Sequence, residues 1–124
     1  MMLAIAAGGA VGALGRHWIS TGVQTLAGHP FPLGTLAVNV LGCAILGCLI
    51  VLMALVWSPT QEIRAFLTVG MMGALTTFSA FSVEVVLMME RGEWFHAALY
   101  IAASVILSVG AMVLAMAGMR WALT

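Results

Sequence analysis

The 124-residue chain is 64% hydrophobic and 6% charged, with four Arg, four Glu and neither Lys nor Asp. A soluble domain carries roughly a quarter charged residues, so this inventory cannot build a water-facing surface. It excludes a soluble enzyme or a nucleic-acid-binding domain and leaves an integral membrane protein, all-α and polytopic.

Hydropathy divides the chain into four spans of about 20 residues or more, the length that a hydrocarbon core of about 30 Å requires. The four are expected at about 2–26, 33–57, 64–89 and 95–121, forming one four-span transmembrane domain over 1–124. No basic n-region precedes the first span, so it is expected to stay in the mature protein. Gly8, Gly12 and Gly15 share a face of this span, and such small residues let transmembrane backbones approach closely. Arg16 lies farther along the same span; it either snorkels to the nearer headgroups or supplies positive potential near an anion entrance. The prolines of Gly28-His29-Pro30-Phe31-Pro32 cannot continue a helix and end the span.

The second span carries Asn39 several residues inside, where its amide either joins helices or donates N–H groups to a solute. Gly42 and Gly47 read as packing positions, and Cys43 and Cys48 as buried, inert thiols, because their spacing suits neither a zinc pair nor a redox motif. Ser58-Pro59-Thr60 then supplies an N-cap and a proline before the third span.

Residues 70–84, GMMGALTTFSAFSVE, are the most informative. Polar groups in mid-span are tolerated only where protein or a water-filled path receives them, so this stretch reads as a path lining or a helix break. Thr76, Thr77, Ser79 and Ser82 flank Phe78 and Phe81, two rings on one helix face. Such rings either pack or border a polar path with their positive edges. Glu84 follows near the far surface, as a solvated interfacial carboxylate or a residue of the mouth. In the fourth span, Tyr100, Ser104 and Ser108 stand at i, i+4 and i+8, which aligns three hydroxyls in one stripe. Trp57, Trp94 and Trp121 fall at span ends, where interfacial indoles belong.

Four spans put both termini on one side, with Arg64 and Arg120 there and Arg16 and Arg91 toward the other. The positive-inside rule cannot orient that distribution. Insertion in both directions and an antiparallel homodimer satisfy it. The lining offers hydroxyls, an amide, ring edges and one Arg, and it lacks the central carboxylate a cation carrier needs. It fits a small anion that accepts several hydrogen bonds.

Three stretches resemble the Fluc (CrcB) family of fluoride channels. They are Gly8–Arg16, the run from Pro32 to Gly42 (PLGTLAVNVLG), and Gly70–Glu84, which is similar to the family's GxxGGLTTFSTFSxE. The resemblance covers essentially the whole chain. It implies a passive, selective fluoride channel in the bacterial cytoplasmic (inner) membrane, built as a dual-topology antiparallel homodimer with a broken third helix. Fluoride, membrane lipid and a second copy would be the partners. Asn39, Phe78 and Phe81 would line the path with Tyr100 and Ser104 as a polar track, and Thr77, Ser79 and Ser108 lie in the same stretches. A structural sodium ion would sit at the dimer centre on the backbone carbonyls of Gly73 and Thr76. Two positions depart from the family pattern: Ala80 replaces a Thr, and Ala74 replaces a Gly at the break. A small multidrug-type proton-coupled transporter is the rival reading, but it needs a carboxylate in the first span, where this chain has Arg16.

Overall fold

A computed structural model describes residues 1–124 and contains helices and no strands. Helix α1 runs Met2–Ala27 and α2 runs Leu33–Leu55. The next segment is composite: α3 (Gln61–Arg64), a π-helical segment Ala65–Met72, α4 (Gly73–Leu75) and α5 (Phe78–Glu90). Helix α6 runs Trp94–Leu123. Three segments are long and apolar enough to cross a membrane, namely Leu33–Leu55, Gln61–Glu90 and Trp94–Leu123. Helix α1 has the length, but its glycines, Arg16 and His17 dilute its apolarity.

Local chemistry explains where these helices start and stop. Gly28 closes α1 in the left-handed region (φ 57°), with its N–H donating to Gln24 O, a conformation that costs a glycine least. The Gln24 side chain then holds the turn. Its Nε2 donates to the carbonyls of His29 (2.6 Å) and Phe31 (2.9 Å), and its Oε1 accepts from Gly34 N (3.0 Å). Thr60 caps α3 by accepting from Ile63 N.

Close backbone approach sets the packing. A Cβ on Gly8 would collide with Phe66 O and lie 2.9 Å from Met71 N, and one on Gly12 would collide with Met71 O. Helix α1 therefore lies directly on the π segment, where Gly70 in turn admits the α1 backbone at Ile5 and Gly8. Gly42 of α2 accommodates the Thr76 methyl, and Gly47 sits 3.0 Å from Met112 O of α6 by the same measure. Two small cores result. Phe81, Val85, Met88, Ala97 and Tyr100 join α5 to α6, while Val38, Met72 and Leu75 join α2 to the composite segment.

Gly8→Ala should lower stability by about 1–3 kcal/mol, the usual cost of overpacking, because the new methyl meets backbone that cannot rotate away. Gly118→Ala, where nothing lies within 4 Å, should be neutral or slightly stabilising. Thermal unfolding of the two variants in detergent checks the contrast.

Candidate functional site

The site is organised by an interruption of the composite segment. Helix α4 ends at Leu75, and Thr76 and Thr77 are extended (φ/ψ −86°/154° and −147°/123°) before α5 begins at Phe78. An unbroken helix would send Thr77 N to Gly73 O, Phe78 N to Ala74 O, Ser79 N to Leu75 O and Ala80 N to Thr76 O. The break removes all four donors, and side chains from two other helices meet part of the deficit.

Asn39 of α2 binds the break on both sides of one peptide. Its Nδ2 donates to Thr77 O (3.0 Å) and its Oδ1 accepts from Thr77 N (2.8 Å). Arg16 of α1 donates from Nε to Ala74 O (3.2 Å). Thr77 Oγ1 caps α5 by accepting from Ala80 N (3.1 Å), and Thr76 Oγ1 donates back to Met72 O (3.2 Å). Gly73 O and Thr76 O lose their helical donors to Asn39 and to the Thr77 cap respectively, and no side chain replaces them. With Leu75 O, which loses the Ser79 N–H in the same way, they are the carbonyl oxygens left available at the break.

Beside the break lies a cavity of ≈ 230 Å³. Asn39, Cys43, Thr76, Thr77, Phe78, Phe81, Ser104, Val105 and Ser108 line it. The hydroxyls of Ser104 and Ser108 are buried and have no hydrogen-bond partner. Buried polar groups without partners are uncommon and call for a solute or water. Asn39 keeps one amide N–H beyond its contact with Thr77 O. Phe81 is 9% exposed, whereas Phe78 is 78% exposed, so the cavity lies at the chain surface behind a ring with little cover. The two ring centroids are 5.5 Å apart at 48°.

A second, larger cavity of ≈ 530 Å³ opens above it. Ser20, Thr21, Thr25, Thr35, Glu84 and Arg91 give it a polar wall. Glu84, on its wall, links α2 to α6. One carboxylate oxygen accepts from Thr35 Oγ1, and the other accepts from Tyr100 OH at 3.3 Å.

The structure brings Asn39, Thr77, Phe78, Phe81, Ser104 and Ser108 to one cavity. Tyr100 lies behind them and is fully buried, between Phe31 (5.5 Å, edge to face) and Phe81 (5.1 Å). Ser79 is exposed, with its hydroxyl 3.3 Å from Thr77 Oγ1, and does not line the cavity. Arg16 Nε reaches the carbonyl orphaned at Ala74. Glu84 is half-buried rather than solvated, because Thr35 and Tyr100 supply donors. Cys43 is not a fully buried thiol. Thr35 and Cys43 went unnoticed in the sequence as site residues. Their signal is present, since Thr35, Asn39 and Cys43 stand at i, i+4 and i+8 on α2 just as the hydroxyls do on α6.

Asn39→Leu should destabilise the folded protein by about 1–3 kcal/mol per orphaned group, since Thr77 N–H and C=O both lose their partner. Arg16→Met should cost a similar amount for Ala74 O alone. Melting of each variant beside the double variant would show both losses.

Compared with known proteins, residues 3–119 match the family model described as CrcB-like protein, Camphor Resistance (CrcB). A Rhodospirillum centenum protein named fluoride-specific ion channel FluC is 47% identical over 122 residues, covering 98% of this chain and 97% of its own. The Nitrobacter winogradskyi protein of that name is 46% identical over 112 residues, covering 90% of this chain and 89% of its own. The one from Geobacter sulfurreducens is 46% identical over 106 residues, with 86% of each chain covered.

Proposed function

The chain belongs to the CrcB family, and from that premise we propose that it is a passive, fluoride-selective channel that lets the anion leave the cell. The observation that carries the reading is the pair of buried, unpartnered hydroxyls of Ser104 and Ser108, residues that line one cavity with Asn39. Fluoride is small and accepts hydrogen bonds strongly, so neutral O–H and N–H donors suit it. No cationic side chain lines that cavity, so binding stays weak enough for the ion to leave again.

The path runs from the Thr35–Glu84–Arg91 vestibule, past the level of Glu84 and Tyr100, to the cavity of Asn39, Phe78, Phe81, Ser104 and Ser108. Glu84 shapes access between the two spaces. Ring edges of Phe78 and Phe81 add positive potential without a full charge. Thr77 fixes the wall through Asn39, and Ser79 supports Thr77. Hydrogen fluoride enters cells as a neutral weak acid and dissociates where the pH is higher. A pore that conducts only the trapped anion detoxifies the cell without an energy source. The small multidrug-type transporter is disfavoured because Met2–Ala27 contains no carboxylate.

In this reading α1, α2, the composite segment and α6 are four spans of the bacterial inner membrane, and the break interrupts the third. A second, antiparallel copy covers Phe78 and the open side of the cavity. Two features support that arrangement: the near-equal distribution of Arg between the two ends and the exposure of Phe78. A structural sodium ion at the dimer centre would be held by the carbonyls of Gly73 and Thr76, which have lost their helical donors. Hard cations take such oxygen ligands. Bound there, the ion would neutralise the negative ends of two broken helices.

Fluoride efflux from liposomes holding the purified protein, read with a fluoride electrode beside chloride-loaded controls, tests the function. Rapid fluoride release with little chloride release, without a proton gradient, is the expected result; no release from folded protein overturns it. Asn39→Asp should slow fluoride at least about fivefold, because a carboxylate at roughly 4 Å opposes an anion by on the order of 1–4 kcal/mol. Phe81→Ile should also slow efflux, while size-exclusion chromatography shows the assembly unchanged.

A further inference from the structure

The wall of the inner cavity holds one group that the fluoride path does not use, the thiol of Cys43. It stands one helical turn beyond Asn39 on the same face of α2 and borders the same space. A lone thiol would mean little, but its surroundings also point to a ligand. Ser104, which lines the same cavity, is 7% exposed, and its Oγ has no partner. The space is large enough for a small guest, since ≈ 230 Å³ compares with about 30 Å³ per water molecule in the liquid. Cys48, five residues on, does not border it.

The ligand class follows from the donor set. No His, Glu or second Cys lines this cavity, and no group of three such residues elsewhere could hold a metal. Zinc and other ions that need three or four protein ligands are therefore excluded. A soft cation satisfied by a single thiolate is favoured, because Asn39 and Ser104 are neutral, hard donors that add only weak secondary contacts.

Resting on the channel reading above, we propose that Cys43 is a single-thiolate site for small thiophilic cations, and that its occupation closes the fluoride path. With methylmercury the step is a proton-for-metal exchange. The thiol S–H bond and the Hg–Cl bond of methylmercury chloride break, an S–Hg bond forms, and the proton and chloride go to solvent with no change of oxidation state. The seated group then fills the space in front of Asn39 and Ser104.

The experiment is fluoride efflux from liposomes treated with methylmercury chloride, with each variant normalised to its own untreated rate. Peptide mass mapping of the treated protein accompanies it. Efflux of the parent should fall to the level of protein-free liposomes and return with dithiothreitol. C43S should resist the reagent, C48S should stay sensitive, and the adduct should map to Cys43. Equal sensitivity of C43S, block that follows Cys48, or a complete Cys43 adduct with undiminished efflux would each overturn the proposal. No efflux from untreated parent would instead overturn the channel reading. The mapping would then decide alone whether Cys43 takes the metal, and an unmodified Cys43 would overturn that too.

Discussion

The contact between Asn39 and the Thr77 peptide is the constraint on which the other features depend. The segment Gln61–Glu90 is apolar enough to span a bilayer, yet its backbone is interrupted at Thr76 and Thr77. Each unsatisfied peptide group in hydrocarbon costs several kcal/mol, so a break persists only where other groups meet it. Asn39 meets Thr77, Arg16 meets Ala74, and the Thr77 hydroxyl meets Ala80. The first two contacts require α1 and α2 to lie close against the composite segment. Glycine at 8 and 12 makes the first approach feasible, and glycine at 42, against the Thr76 methyl, makes the second. The small residues and the polar residues thus serve one requirement.

Two polar stripes flank the break and meet at two levels. Thr35, Asn39 and Cys43 repeat every four residues on α2, as Tyr100, Ser104 and Ser108 do on α6. At the upper level Thr35 and Tyr100 converge on the two oxygens of Glu84. At the lower level Asn39 and Cys43 share a cavity with Ser104 and Ser108. The upper level is charged and internally satisfied. The lower level is neutral and leaves its hydroxyls unused. This division separates a fixed structural contact from donors free to serve a solute in transit.

Much of this could be read from local chemistry. The helix ends near Gly28 and Thr60 follow from a left-handed glycine and a threonine cap, and both signals are short-range. The Tyr100–Ser104–Ser108 stripe was visible as a period, although burial between two rings removes Tyr100 from the cavity wall. The π-helical turn of Ala65–Met72 was not legible, because its sequence AFLTVGMM carries no propensity that separates it from an α-helix. The partners of Arg16 and Glu84 were also hidden. Arg16 is 58 residues from Ala74, and Glu84 is 49 residues from Thr35, so no spacing rule links them. A reading of each side chain alone gives no sign of these tertiary partners.

The exposure of Phe78 connects the local chemistry to the proposed assembly. A cavity bordered by unpartnered hydroxyls and flanked by a 78%-exposed ring cannot face lipid on its own, because hydrocarbon would neither hydrate the hydroxyls nor confine an anion. Something must close that side, and a helix face of like composition is the simplest cover. The near-equal placement of Arg at the two ends removes the electrostatic bias that would force every copy into one orientation. In the proposed assembly an antiparallel partner would present its own Phe78 and its own open cavity to the first copy, so that closing one path would close the other by symmetry. A charge distribution that fails to orient the chain is therefore the property that makes such pairing possible.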